Sequence, residues 1–341
     1  MFMQVLEKKR TIGCIEVLRL IAALGVMLSH VGYGTYYAKD FNASIGVNLF
    51  FCISAFLLMH NTQQATAGNI FIRRIIRLVP LYWLLTIFTF AASYFNDSFG
   101  QTSIPANQLI KSLFFIPYAR DGFKELGVIR PIVGPAWTMN CDFWFLLICV
   151  ISIKINRRFR GLLTALICIL IRIISNFLPA ELVIRNFMHR NVWLCYAAGI
   201  GVYYLWKLTK TSAQKPKWLP ALGWGICLLL FVLLYFTPQT RWKTLSLCAA
   251  IVFIVLFACE HSPIPSIVSW FGFISYSFYL IHYYVIMILS VFLDFTKFSV
   301  ATLLGTIAVT LISLLFAQIS HYIIEKKLGS YLKAKLLGQL K

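Results

Sequence analysis

The sequence predicts an all-α integral membrane protein of about ten transmembrane helices, with both termini on the cytoplasmic side. Three observations predict it. Of 341 residues, 60% are hydrophobic and 12% charged, whereas a soluble domain carries roughly 25% charge. The apolar residues form continuous runs close to the ~20 needed for a spanning helix, and they do not alternate as strands would. In lipid the backbone must pair internally, which favours helices for such runs. The 31 Lys and Arg, against 11 Asp and Glu for a net charge of +20, are also unevenly placed between the runs. A soluble enzyme, a disordered chain and a secreted disulfide scaffold are excluded on these grounds.

The runs fall at 12–36, 44–60, 78–95, 135–153, 161–178, 192–206, 219–236, 244–259, 267–293 and 300–323. The first follows Lys8, Lys9 and Arg10 as a secretory signal would. Arg19 and His30 interrupt it and no small-residue cleavage pattern follows, so a retained anchor is expected. With the N-terminus in the cytoplasm, 19 bases fall in inner connections and 10 in outer ones, leaving Arg19 and Arg172 within spans. The positive-inside rule therefore favours this orientation. Residues 96–134 form the longest loop, on the outer side, and Leu109 to Pro117 is apolar enough to rest on the membrane surface.

Residues 1–324 are read as the membrane domain and 325–341 as a basic cytoplasmic tail. Leu328, Tyr331, Leu332, Leu336, Leu337 and Leu340 recur at helical spacing with lysines between them. That pattern reads as an amphipathic helix on an anionic leaflet, or else a frayed basic tail. The nine cysteines lie in or beside apolar stretches, without CxxC pairs near histidines. They are read as lipid- or core-facing packing, and no metal is expected.

Charged groups within spans are costly and usually functional. Arg19 and His30 are eleven residues apart, which returns to within ~20° of one helix face about 16 Å along the axis. Asp142 lies about seven residues into a span entered from the outer side, at a depth near that of His30. It is read as a partner that orients this imidazole for proton removal, or as a structural acid paired with an arginine. Arg73, Arg74 and Arg77 gather where a helix enters from the cytoplasm, before Pro80, which would kink or restart it. Their planar donors suit phosphates, on lipid headgroups or on a soluble anionic cofactor. His282, with Tyr276 and Tyr279 nearby, either lines the same crevice or packs in the core. Arg172 is read as a helix-end cation or a partner for a buried acid. No Walker A, HExxH, GxSxG or dinucleotide fingerprint is present.

Five segments together resemble the acyltransferase 3 family of membrane acyltransferases, which includes O-acetyltransferases of bacterial surface glycans. They are Leu18-Arg-Leu through His30, Gly46 to Leu57, the run from Arg73 through Pro80 to Tyr82, Trp137-Thr-Met-Asn-Cys-Asp142, and Ile274 to His282. Asp142 stands where the family usually has Glu, Asn48 where Asp is common and Ala55 where Gly is usual. The hydrolase-like domain appended in some relatives is not expected here.

The resemblance implies acetyl or short-acyl transfer from cytoplasmic acetyl-CoA to a hydroxyl of a lipid-linked or polymeric sugar, in the bacterial inner membrane. It implies His30 and Asp142 as catalytic, and Arg19, Arg73, Arg74 and Arg77 as holding the acyl-CoA. Asn48, Trp137, Tyr279 and His282 are then expected against the substrate. The acyl group would pass directly to the acceptor or through a covalent acyl-His30. Competing readings are a transporter of an anionic or acyl-carrying solute, and a catalytically dead relative.

Overall fold

The computed structural model describes residues 13–31, 44–95, 104–119, 129–209, 216, 218–236, 241–260, 262, 265–295 and 299–338. Outside them lie Lys8, Lys9, Arg10, Lys39, Arg120, Lys124, Lys210, Lys215, Lys217, Lys297 and Lys341 of the charge count. Among the described residues every regular element is helical.

The helices are α1 (Gly13–His30), α2 (Ser44–Asn61), α3 (Ala67–Ala92), α4 (Ala106–Leu113), α5 (Trp137–Ile155), α6 (Arg160–Ile174) and α7 (Val183–Met188). They continue as α8 (Val192–Thr209), α9 (Leu219–Phe236), α10 (Arg241–Cys259), α11 (Ser266–Leu289), α12 (Val300–Ser320) and α13 (Gly329–Gly338). A π-helical turn, His321–Leu328, joins the last two.

Among the described residues, seven helices are long and apolar enough to cross a membrane, and Ile45–Asn61 and Leu219–Val232 are shorter apolar helices. Helix α8, at the sixth expected run, is not among the seven. Its Gly199, Gly201, Tyr203, Tyr204 and Trp206 lower its hydropathy.

Helix α3 begins at Ala67, well before the expected run. The Thr66 side chain accepts from the Asn69 amide at 3.3 Å and caps it, satisfying one of the donors a helix start leaves open. The three arginines therefore sit inside the helix, and it continues through Pro80 rather than restarting there.

Helices α1, α2, α8, α10 and α11 pack around the centre of the bundle, with α11 also against α12 and α9 against α10. Two glycines permit the closest approaches. A Cβ at Gly199 would lie 2.2 Å from the Cys52 carbonyl oxygen, so α8 touches the backbone of α2 there. A Cβ at Gly272 would lie 2.3 Å from Glu16 Cβ, where α11 meets α1. Arg160 donates to the carbonyls of Met59, Thr62 and Gln63 at 3.2, 2.8 and 3.2 Å. It thereby satisfies the carbonyls left over at the end of α2.

The outward faces are apolar. Leu84 and Ile87 on α3, Leu162 and Leu166 on α6, Leu228 on α9, and Leu304 and Leu311 on α12 are all exposed. A contiguous mantle of this kind around an apolar bundle is a lipid-facing surface. The cysteines face the other way, since all nine are buried and none forms a disulfide.

The outer connection contributes α4, pinned to α3 by bonds from Tyr82 to the Ser112 carbonyl at 2.8 Å and from Trp83 to the Leu113 carbonyl at 2.9 Å. Ile110, Phe114 and Ile116 remain exposed along this stretch. Phe115 adopts φ 56°, a left-handed conformation that costs a bulky residue roughly 1–2 kcal/mol. Its ring is stacked on Phe143 at 4.5 Å and tilted against Tyr82 at 5.0 Å, and its carbonyl accepts from Trp144 at 3.0 Å. Packing holds the strained residue.

Candidate active site

Helices α1 and α11 run in the same direction, since Glu16 meets Gly272 at one end and His30 meets His282 at the other. The face shared by Arg19 and His30 thus becomes one seam. On α11 its residues recur as Gly272, Tyr276, Tyr279 and Tyr283, with His282 beside them. That is helical spacing, and it spans about 15 Å.

At the His30 end, Nδ1 of His30 lies 2.9 Å from Nε2 of His282. The rings are parallel within 7° with centroids 5.1 Å apart, the geometry of two imidazoles meeting edge to edge in one plane. Nδ1 of His282 lies 3.1 Å from the Phe278 carbonyl oxygen. A carbonyl only accepts, so that nitrogen carries hydrogen. With both rings neutral, Nε2 of His282 then accepts from Nδ1–H of His30. The lone pair of His30 is left on Nε2, and the residue is exposed. His282 itself is fully buried. Tyr283 meets the His30 ring edge-on at 6.2 Å.

The partner of His30 is therefore His282, a residue expected against the substrate, and the expected His30–Asp142 pairing is corrected. Asp142 Oδ1 accepts from Tyr196 at 2.7 Å and from Ser54 at 3.3 Å, with Arg74 within electrostatic reach. Arg74 also donates to the Ser54 carbonyl at 3.4 Å. The reason is depth. His30 is the last residue of α1, level with the start of α5. Thr138 on α5 already faces Tyr279, 3.2 Å away and one turn below His282. Asp142 is a further turn in, about 10 Å from the imidazole pair. The alternative reading, an acid beside an arginine, matches its surroundings.

Below Asp142 the polar groups continue. Tyr276 donates to the Leu78 carbonyl at 2.6 Å and lies in the field of Asp142, Arg77 and Glu325. Arg19 pairs with Glu16 at 3.0 Å, both buried, with Arg74, Arg77 and Glu325 around them. Glu325 comes from the π-helical turn, where it accepts from Ser277 at 2.6 Å and lies 3.4 Å from His321. Arg73 is exposed on α3, and Lys333 of α13 shares its field with Arg73 and Arg77. Arg19, Arg74 and Arg77 are thus brought into one neighbourhood, with Arg73 at its rim. The tail helix packs on α3 beside them, where Gly329 approaches Ile76.

The remaining expected residues are scattered around the His30 end. Asn48 is buried on α2. The Tyr279 hydroxyl donates to the Pro135 carbonyl at 3.2 Å, locking α11 to the turn before α5. Trp137 packs against Phe51 at 6.2 Å and lies under Arg190, 4.1 Å from its ring centroid. Arg172 is the helix-end cation, bonded to Asn176 at 3.0 Å and to His189 at 3.2 Å.

Sequence reading missed Glu16, Glu325, Tyr196 and Arg190. Glu16, three residues before Arg19, was findable from i,i+3 spacing. Glu325 and Arg190 come from segments read as tail and connection.

A bundle of apolar-faced helices around a polar seam of paired imidazoles, acids and arginines defines a multi-pass integral membrane protein. The chain belongs to the acyltransferase 3 family, whose acyltransferase domain matches residues 12–321, and it is accordingly a membrane acyltransferase. No curated protein and no solved structure matches the chain.

Proposed function

We propose that this acyltransferase moves an acetyl or other short acyl group from acetyl-CoA on the cytoplasmic side to a hydroxyl of a lipid-linked or cell-surface glycan. The reading includes about ten spans, both termini in the cytoplasm and a bacterial inner membrane. The single observation that carries it is the His30–His282 pair, because it leaves a lone pair on the fixed ring of an exposed residue. The polar groups running from that pair to the arginines support a path for the donor's pantetheine arm. Arg73, Arg74 and Arg77 would face the donor's phosphates, with Arg19 above them and the thioester near His30.

In the proposed step, His30 Nε2 takes the proton of the acceptor hydroxyl, and its oxygen forms a bond to the thioester carbonyl carbon. The tetrahedral oxyanion collapses, the carbon–sulfur bond breaks, and the thiolate takes the proton back from His30. His282 holds the His30 ring in orientation and accepts from it, stabilising the imidazolium formed in between. Asp142 supports the arginines and Tyr196 at mid-depth. A covalent acyl-His30 is the competing route.

The test is transfer of labelled acetyl from acetyl-CoA to surface glycan in membranes. Label that disappears in His30→Ala and Arg19→Ala supports the reading. A His30→Ala protein that keeps full transfer would sink it. Pre-incubation with labelled donor alone separates the routes, since stable protein-bound label belongs to the covalent one.

A further inference from the structure

Arg190 lies in the turn between α7 and α8, outside the seam, with its guanidinium flat on the Trp137 ring at 4.1 Å. Among the described residues no acid pairs with it and no side chain or carbonyl takes a hydrogen bond from it. Burial pulls its guanidinium below the usual arginine range, and among the described residues the opposing neighbour is the weakly acidic Cys141 thiol. This is a partly buried cation with no counter-ion among the described residues, an arrangement that an incoming anion would complete.

Its geometry indicates what would. A guanidinium carries five N–H donors in a planar fork. When its face lies on an aromatic ring, those donors point outward in the plane and remain free. The fork matches a carboxylate or phosphate in bidentate fashion.

The place is also specific. Trp137 follows the 3₁₀ turn Gly134–Ala136, and three residues at ~2 Å each put it about 6 Å from Gly134. A methyl at Gly134 would lie 3.5 Å from Tyr283 Oη and 3.8 Å from Arg130 Nε, and Tyr283 borders His30. Arg190 thus stands at one end of a short turn, and the other end meets Tyr283, which borders His30.

We propose that Arg190, held flat on Trp137, is an oxyanion-binding subsite at the His30 mouth, receiving a carboxylate or phosphate carried by the acceptor or by a lipid headgroup beside it. The acceptor half of this statement rests on the function proposed above, while the subsite itself does not. Trp137 then acts as a positioning residue, and the ring face under the arginine is closed to a stacked sugar.

The test uses the full chain in phosphatidylcholine nanodiscs, without acyl donor. The soluble probes are trigalacturonate, its neutral trimethyl ester and inorganic diphosphate, read by calorimetry. Nanodiscs containing phosphatidylglycerol, read by retained lipid, probe the headgroup source. Trigalacturonate is expected to bind at least tenfold more tightly than its ester. Arg190→Gln should erase that difference, and Arg190→Lys, which keeps the charge and the apolar stem, should keep part of it. Arg190-dependent binding of diphosphate or of phosphatidylglycerol instead also supports the subsite and names its source. If Arg190→Gln leaves all three affinities unchanged, the subsite is overturned. Loss of acetyl transfer in the membrane assay would not move any of these readouts, so the two readings fail separately.

Discussion

His30 and His282 meet edge to edge, Nδ1 to Nε2, at 2.9 Å, and the Phe278 carbonyl fixes the far end of the pair. A histidine here takes the place that a carboxylate holds in many acid–base pairs. A neutral imidazole orients its partner as a carboxylate does but contributes less charge to stabilise an imidazolium. The arrangement is thus selective for ring tautomer more than for ring charge.

Replacing His282 by Leu is expected to leave Nδ1 of His30 without an acceptor and the ring free to take the other tautomer. Acetyl transfer should fall by about 10²–10⁴, the range typical of a disabled general base. His282→Gln, which offers an acceptor oxygen, should recover part of it. Initial rates in membranes decide the matter, and a His282→Leu protein at the original rate would remove His282 from the mechanism.

Asp142→Ala would strip the acceptor from Tyr196 and Ser54 and a counter-charge from Arg74. Breaking a buried charged pair typically costs about 3–5 kcal/mol, so a clear drop in melting temperature is expected. Tyr196→Phe, which removes one hydrogen bond, should cost about 1–3 kcal/mol. Equal melting temperatures for Asp142→Ala and the unaltered protein would contradict this placement.

Gly272→Ala would drive a methyl to within 2.3 Å of Glu16, forcing α1 and α11 apart at the Glu16–Arg19 pair. Overpacking of this kind costs about 1–3 kcal/mol. Gly25 on α1 has open space around it, and Gly25→Ala should be stabilising by about 0.5–1 kcal/mol from helix propensity. Opposite shifts in detergent melting curves are the expected outcome, and a neutral Gly272→Ala would show that the seam is looser than described.

Arg77→Gln should weaken the donor more than the chemistry. The KM for acetyl-CoA is expected to rise about tenfold, equivalent to roughly 1.4 kcal/mol, while kcat changes less than threefold. A fall in kcat at constant KM would instead place Arg77 near the reacting atoms.

Much of this architecture is legible in the sequence, because lipid makes hydrophobic length a direct report of helices. The shared face of Arg19 and His30 also survives, since it depends only on the 3.6-residue period. What failed is the step from one helix to the next. Matching Asp142 to His30 by depth used a span boundary as the origin, and an error of about two turns moved the acid away from the imidazole. Periodicity gives direction around a helix axis but not which neighbour stands there, so His282 was visible as a polar residue and invisible as a partner. Glu325 escaped because the chain was expected to leave the membrane before it, whereas the π-helical turn carries it back against Ser277.

The inward burial of all nine cysteines has a practical consequence. The unmodified protein is its own blank for thiol chemistry, because a charged maleimide offered to intact cells meets no exposed sulfur of native origin. One cysteine placed at exposed Glu181, and another at exposed Lys326, would each report a side of the membrane without any native residue being removed first. Reagent reaching the former and not the latter gives the orientation proposed above, and the reverse pattern turns the whole molecule over.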